Sequence, residues 1–154
     1  GGFFDYYKQL NYGFGTDGAA SSNTLNPVEQ ARLFGLMGKY QERNSAAYTA
    51  TEIWQHLMAS HQAFPFGSGR LKEGAPADLV IWDLYQPDTF PFYSPISAIL
   101  YSSNSQNVKY TMVAGEFLKY NGKLKIDTKT LTQEAVRLQK ALLERGKGKA
   151  QVAY

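Results

Sequence analysis

Cysteine is absent from the 154 residues, so no disulfide framework, thiolate nucleophile or Cys-ligated metal centre can be built from this chain. Histidine is nearly as scarce, with two copies, and a His-rich metal site is excluded as well. No apolar run approaches the roughly 18–20 residues that cross a bilayer, and no signal-peptide pattern opens the sequence. Charged residues make up 19% of the chain and the net charge is +3. The positives gather in a Gly/Lys tail and are not interleaved with the aromatics, which argues against a nucleic-acid surface. What is present is an apolar share of 44%, with 11 Tyr and 9 Phe, enough for a buried core. The length suits about one domain. A soluble, cytoplasmic protein that binds neither membrane nor nucleic acid is the expectation.

Periodicity and punctuation divide the chain near residue 68: helices around one short strand first, then strands, then a terminal helix. Phe3 to Lys8 reads as a helix end or an irregular segment. Tyr12 to Thr16 (YGFGT) reads as a strand that breaks into the small-residue loop Asp17 to Asn23. Asn26-Pro27 starts a helix with Asn26 as N-cap, Pro27 in the first turn and Glu29 closing the cap. Leu33, Phe34, Met37 and Tyr40 form its apolar face. Gly35 and Gly38 each cost about 1 kcal/mol of helix propensity, which implies close packing or a weak helix. Thr49 and Glu52 stand at capping-box spacing before a second helix, lined by Ile53, Trp54, Leu57, Met58, His61 and Phe64 and ended by Pro65 to Gly69.

Asp78 to Leu84 is a nearly continuous apolar strand. Tyr110 to Ala114 and Phe117 to Tyr120 form a hairpin about Gly115-Glu116, and Asn121-Gly122 turns into a further strand at Lys123 to Ile126. Leu131, Ala135, Leu138 and Leu142 share one face of a helix over 131–145, with Arg145, Lys147 and Lys149 at its basic end.

Few residues carry chemistry. His56 and His61 lie five apart on one helix and diverge by about 140°, so they cannot share a metal. They read as a surface and a core histidine respectively. Gly13-Phe14-Gly15 falls short of a phosphate-binding fingerprint. Asp17, taken locally, is a turn residue between Thr16 and Gly18.

Four segments in order change that reading. Gly15 to Asn23 (GTDGAASSN) resembles the GTDGAASNN motif of the metal-dependent amidohydrolases. Arg70 to Asp83 (RLKEGAPADLVIWD) is similar to their GxLxxGxxADLVxxD segment, and Tyr93 to Tyr101 (YSPISAILY) to DPVSALVYA. Val113-Ala114-Gly115-Glu116 with Asn121-Gly122-Lys123-Leu124 resembles the VxVDGxxVxxDGRLL hairpin. The likeness covers about residues 11–127. It is strongest to the branch of the methylthioadenosine/S-adenosylhomocysteine deaminases and chlorohydrolase-like enzymes.

The resemblance implies an α/β fragment: the last strand and final helices of a (β/α)8 barrel, plus the C-terminal part of the family's β-sandwich. Residues 1–68 would be the barrel remnant, 69–127 the sandwich part, and 128–154 a C-terminal helix and basic tail. A whole barrel takes about 200–250 residues, more than this chain can hold beside a sandwich. Asp17 would be the strand-eight aspartate, at once metal ligand and catalytic group. The family's His-x-His and its other metal-binding histidines would lie upstream.

The implied parent hydrolyses C–N or C–Cl bonds of small purine- or triazine-like substrates with a divalent metal, zinc first among the candidates. This chain alone would bind none and be inactive, and its partners would be the missing N-terminal barrel half or further copies of itself. One departure is Met58 to Phe66 (MASHQAFPF), where many relatives read ATxNGAxxLG. The competing expectation is a non-catalytic structural or interaction module in which Asp17 only shapes a turn.

Overall fold

The computed structural model describes residues 6–7, 10, 12–62 and 69–146. Most of Phe3 to Lys8, together with Phe64, the loop before Gly69, Lys147 and Lys149, lies outside them. From Tyr12 to Gly18 the chain has no regular secondary structure. A single helical turn, α1 (Ala19–Ser22), follows, then α2 (Pro27–Glu42) and α3 (Ala50–Gln62). The second half holds β1 (Leu79–Trp82), a short α4 (Pro95–Ser97) that runs on as a π-helical turn (Ala98–Ser102), then β2 (Val108–Val113), β3 (Glu116–Tyr120) and β4 (Lys123–Leu124). Helix α5 (Thr128–Gly146) ends the described chain.

The helix starts follow the expected caps, with one change of partner. Asn26 Oδ1 accepts from the Val28 and Glu29 amides at 3.1 and 3.3 Å. Glu29 does not close a box on Asn26; its carboxylate accepts the Thr24 hydroxyl at 2.7 Å instead. At α3 the box is complete: the Thr49 amide donates to Glu52 Oε2 (2.7 Å) and the Glu52 amide to Thr49 Oγ1 (3.3 Å). The Thr49 hydroxyl, which donates to Glu52 Oε2 at 2.8 Å, and then the Thr49 amide hold the Glu52 carboxyl below its usual range.

Helix α2 packs through a different stripe from the expected one. Ala31, Gly35 and Gly38 are buried and Phe34 is half-buried, whereas Leu33, Met37 and Tyr40 are 52%, 52% and 85% exposed. Apolar size did not choose the stripe; close approach did. A Cβ on Gly35 would meet Ile53 Cδ1 at 2.5 Å and the Tyr101 hydroxyl at 2.9 Å, and one on Gly38 would meet the Tyr48 ring at 2.6 Å. The two glycines let the backbone of α2 lie directly on its neighbours. Two cations reinforce the seat. Arg32 donates from Nε to the Leu100 carbonyl at 2.6 Å and from its guanidinium to that of Ser103. Lys39 Nζ donates to the carbonyls of Ser45, Ala47 and Tyr48.

The core gathers Ala31, Tyr48, Ile53, Leu57 and Leu100, with Phe14, Phe34, Trp54 and Met58 packed around them. A second cluster, Leu84, Ala98 and Ile99, touches the first through Val28 and Trp54. Leu100 comes from beyond the boundary near residue 68, so the two parts share an interior. The sequence reading assigned no helix to the segment that brings it there, Pro95–Ser102; Ser94 caps it by accepting the Ser97 amide at 3.3 Å.

The sheet is antiparallel in the order β1-β2-β3-β4. Its registers include Leu79 opposite Met112 and Met112 opposite Phe117, with irregularities at Ile81/Trp82 and Thr111/Met112. Asn121 (φ 47°) and Gly122 (φ 78°) make the expected two-residue turn. The other turn is Ala114-Gly115 rather than Gly115-Glu116: Ala114 has φ 50° and Gly115 φ 84°. Asp78 makes this possible, because its Oδ1 accepts the Ala114 amide at 2.7 Å while the Ala77 carbonyl accepts that of Gly115 at 3.1 Å. Helix α5 is longer than expected, and Leu131, Leu138 and Leu142 on its apolar face are about half or more exposed.

Three outcomes check these packing arguments. Gly38→Ala gains helix propensity but drives a methyl into the buried Tyr48 ring, whose own carbonyl is held by Lys39. We expect a net loss, from an overpacking cost of about 1–3 kcal/mol, read as a lowered urea midpoint with unchanged slope. Ala114→Asn places a residue that tolerates φ > 0 in the strained turn and should stabilise by roughly 0.5–1 kcal/mol. Asp78→Ala should cost about 1 kcal/mol through the lost carboxylate bond. An unchanged midpoint for both would remove the strained turn as an energetic feature.

Candidate functional site

Side chains alternate along Tyr12 to Asp17. Tyr12, Phe14 and Thr16 are half-buried, while Gly13, Gly15 and Asp17 are exposed. The segment pairs with no strand among the described residues, so the strand expected at Tyr12 to Thr16 is not formed there. Aromatic contacts hold it in place of ladder bonds. Tyr12 meets Phe34 at 5.6 Å between centroids, Phe14 meets Phe34 at 5.1 Å, and Phe34 meets Tyr48 at 5.3 Å. These are edge-on or tilted pairs of the favoured kind.

The histidines exchange their expected places. His61 is exposed at the end of α3, whereas His56 is half-buried against Tyr12. Its ring stacks on Tyr12 at 3.9 Å and 8°, and its Nδ1 lies 3.0 Å from the Tyr12 carbonyl. Helical periodicity placed His56 off the apolar face. It could not register that Tyr12 comes to lie on that side of α3. Burial, the Glu52 carboxylate and Tyr7 push the Tyr12 hydroxyl up to about 12, so it stays protonated in the cluster.

Asp17 ends the segment. Its φ is 57°, and its Oδ1 accepts the Gly18 amide at 2.7 Å. The Thr16 hydroxyl donates to the Asp17 carbonyl at 3.2 Å. The loop beyond is strained and braced. Asn23 and Leu25 also have positive φ, at 58° and 49°, and bulky residues there are uncommon. Gln30 Nε2 donates to Ser22 Oγ at 3.1 Å and ties the loop to α2. Asp17 is thus one exposed carboxylate on a fixed stem. No three His, Cys, Asp or Glu side chains come together as metal ligands among the described residues. Zinc sites use three or four protein ligands, so Asp17 fits as one member of such a set and does not make a site. Among the described residues, no helix is long and apolar enough to cross a membrane.

Comparison with known proteins gives this geometry a context. The profile of the amidohydrolase family matches residues 7–118. A 5-methylthioadenosine/S-adenosylhomocysteine deaminase of Caldicellulosiruptor saccharolyticus is 37% identical over 138 residues, which are 88% of this chain and 32% of the relative. A 5'-deoxyadenosine deaminase of Methanopyrus kandleri is 37% identical over 121 residues, 76% of this chain and 28% of the relative. Among solved structures, a zinc-bound adenosine deaminase from Xanthomonas campestris superposes with a TM-score of 0.80 at 26% identity, over 88% of this chain and 32% of that one. The zinc complex of an atrazine chlorohydrolase from Arthrobacter aurescens gives 0.77 at 23% identity, over 89% and 32%. The chain spans about a third of the length of these relatives. With a profile match over most of its length and the same fold in these solved structures, the chain belongs to the amidohydrolase family.

Proposed function

We propose that this sequence is the C-terminal third of a metal-dependent amidohydrolase that hydrolyses a C–N or C–Cl bond on a purine- or triazine-like ring. The observation that carries the reading is the placement of Asp17. A family match runs through the segment that ends on this carboxylate, which is exposed like Gly13 and Gly15. In this reading Tyr12 to Thr16 is the eighth strand of a (β/α)8 barrel, α2 and α3 lie outside it, and Asp17 stands at the strand's C-terminal end. Barrel active sites open at that end.

A divalent metal there would supply a water acidified toward neutrality. The chain's own contribution is a proton acceptor. The Asp17 carboxylate, whose Oδ1 accepts the Gly18 amide, would help hold that metal and would take the proton of the attacking water, passing it to the departing amine or, where chloride leaves, to solvent. Deaminases and a chlorohydrolase among the relatives and neighbours support the substrate class.

Exposed surface supports the partner. Leu33, Leu36 and Met37 on α2, Val80 and Ile81 on β1, and Leu131, Leu138 and Leu142 on α5 remain open. Half-burying eight such side chains would be worth roughly 6–12 kcal/mol, comparable with a domain's whole stability. We assign the cover to the upstream two-thirds of the enzyme and, without it, to other copies of the chain.

In the full-length enzyme, Asp17→Asn should lower turnover of an adenosine-type substrate by about two powers of ten or more. The 154-residue chain should show no turnover with or without zinc. Activity in the isolated chain that Asp17→Asn abolishes would overturn its predicted inactivity. Light scattering of the isolated chain at micromolar concentration should show association; a monomer that binds no apolar dye would contradict the assignment of its open faces.

A further inference from the structure

A carboxylate at the mouth of a barrel is aimed from two sides: the strand before it fixes its backbone, and the loop after it governs the direction of its side chain. The loop beyond Asp17 acts through Gly18, whose amide donates to Asp17 Oδ1 at 2.7 Å. The Gly18 carbonyl accepts the amides of Ser21 and Ser22 at 2.9 and 3.0 Å, so one tight turn links Ser22 to the peptide that holds the carboxylate. That turn is not relaxed backbone. Asp17, Asn23 and Leu25 take φ of 57°, 58° and 49°, and the ψ of −56° at Asn23 lies outside even the left-handed helical region. Residues of this kind persist where their surroundings over-determine them. The side chain that does so here is Gln30, whose Nε2 donates to Ser22 Oγ at 3.1 Å, with both residues half-buried. Gln30 stands on a firm base. Its own amide bonds to the Asn26 carbonyl at 3.2 Å, and Arg32, two residues on, binds the carbonyls of Leu100 and Ser103. The other tie of the loop to α2, from Thr24 to Glu29, is exposed and lies beyond Asn23 in the chain.

We propose that Gln30 is a positioning residue: through Ser22 it holds the turn whose Gly18 amide orients the Asp17 carboxylate. This rests on the reading of Asp17 as the catalytic carboxylate. The brace acts after the barrel strand, so pairing of Tyr12 to Thr16 with neighbouring strands leaves its role in place. Without the bond from Gln30, the turn relaxes toward ordinary backbone and the Gly18 amide swings with it. A small displacement of a reacting group is costly: about 1 Å can reduce the rate by a factor on the order of a hundred. Gln30 touches neither substrate nor metal in this account, and neither it nor Ser22 carries charge; the pair acts on placement alone.

Variants of the full-length enzyme at saturating zinc test this. Gln30→Met keeps the length of the side chain without the donor, Ser22→Ala removes the acceptor, and Ser22→Thr keeps it. We expect kcat to fall about tenfold in Gln30→Met and in Ser22→Ala, with KM within about twofold and most of kcat kept in Ser22→Thr. Because the two substitutions break one bond, the double variant should be no slower than the slower single one. Full kcat in Gln30→Met would overturn the proposal, as would two losses that multiply in the double variant. Hydrogen exchange of the metal-free enzyme gives a readout apart from turnover. The amides of Gly18 and residues 21–23 should exchange faster in Gln30→Met and in Ser22→Ala and at the parent rate in Ser22→Thr, while those of residues 33–42 in α2 stay protected. An unmoved turn would overturn the proposal even where kcat falls, and so would a loss of protection spread along α2, which would make Gln30 a support of the helix instead. Asp17→Asn in the same enzyme separates the two ways of failing. Activity that survives Asp17→Asn removes the underlying reading, whereas activity lost there but kept in Gln30→Met removes only the role of Gln30.

Discussion

Everything in the first half is set by how near the backbone of α2 comes to its neighbours at Gly35 and Gly38. With no side chain at either position, Ile53 of α3, Tyr48 of the connecting loop and Tyr101 of the π-helical turn reach the helix axis from three directions. That approach puts Leu100 at zero exposure and brings its carbonyl within reach of Arg32. It also has a cost. The Tyr101 hydroxyl is buried against Gly35 without a hydrogen-bond partner, a penalty of about 1–3 kcal/mol, and burial raises its pKa. Contact at this crossing outweighs that loss.

Local chemistry was the most legible part of the sequence. Asn26, Thr49 with Glu52, and Asn121-Gly122 act through neighbours within a few residues, and all three form as their spacing implies. Apolar faces were less legible because periodicity records side-chain character, not what lies opposite. Leu33 and Met37 are apolar yet exposed, and two glycines make the contact instead. The Ala114-Gly115 turn was misplaced by one residue because its stability comes from Asp78, a residue 36 positions earlier in the chain. No local rule for hairpins contains that bond.

The candidate site divides the same way. Asp17 is singled out by resemblance alone, since a Thr-Asp-Gly turn has no distinguishing local feature. His56 was misjudged for the opposite reason. Its helix was read correctly, but its partner Tyr12 is 44 residues away, and only the folded chain shows which side of α3 the stem occupies. Strain at Asp17, Asn23 and Leu25 was equally invisible, because none of the three is a glycine that would have advertised a left-handed conformation.

The grip of Arg32 on the end of the π-helical turn reaches across the chain. It joins residues 68 and 71 positions apart, and the Leu100 side chain sits in the same seam. The two halves of the described chain are therefore tied by this seam as well as by the covalent link between α3 and β1.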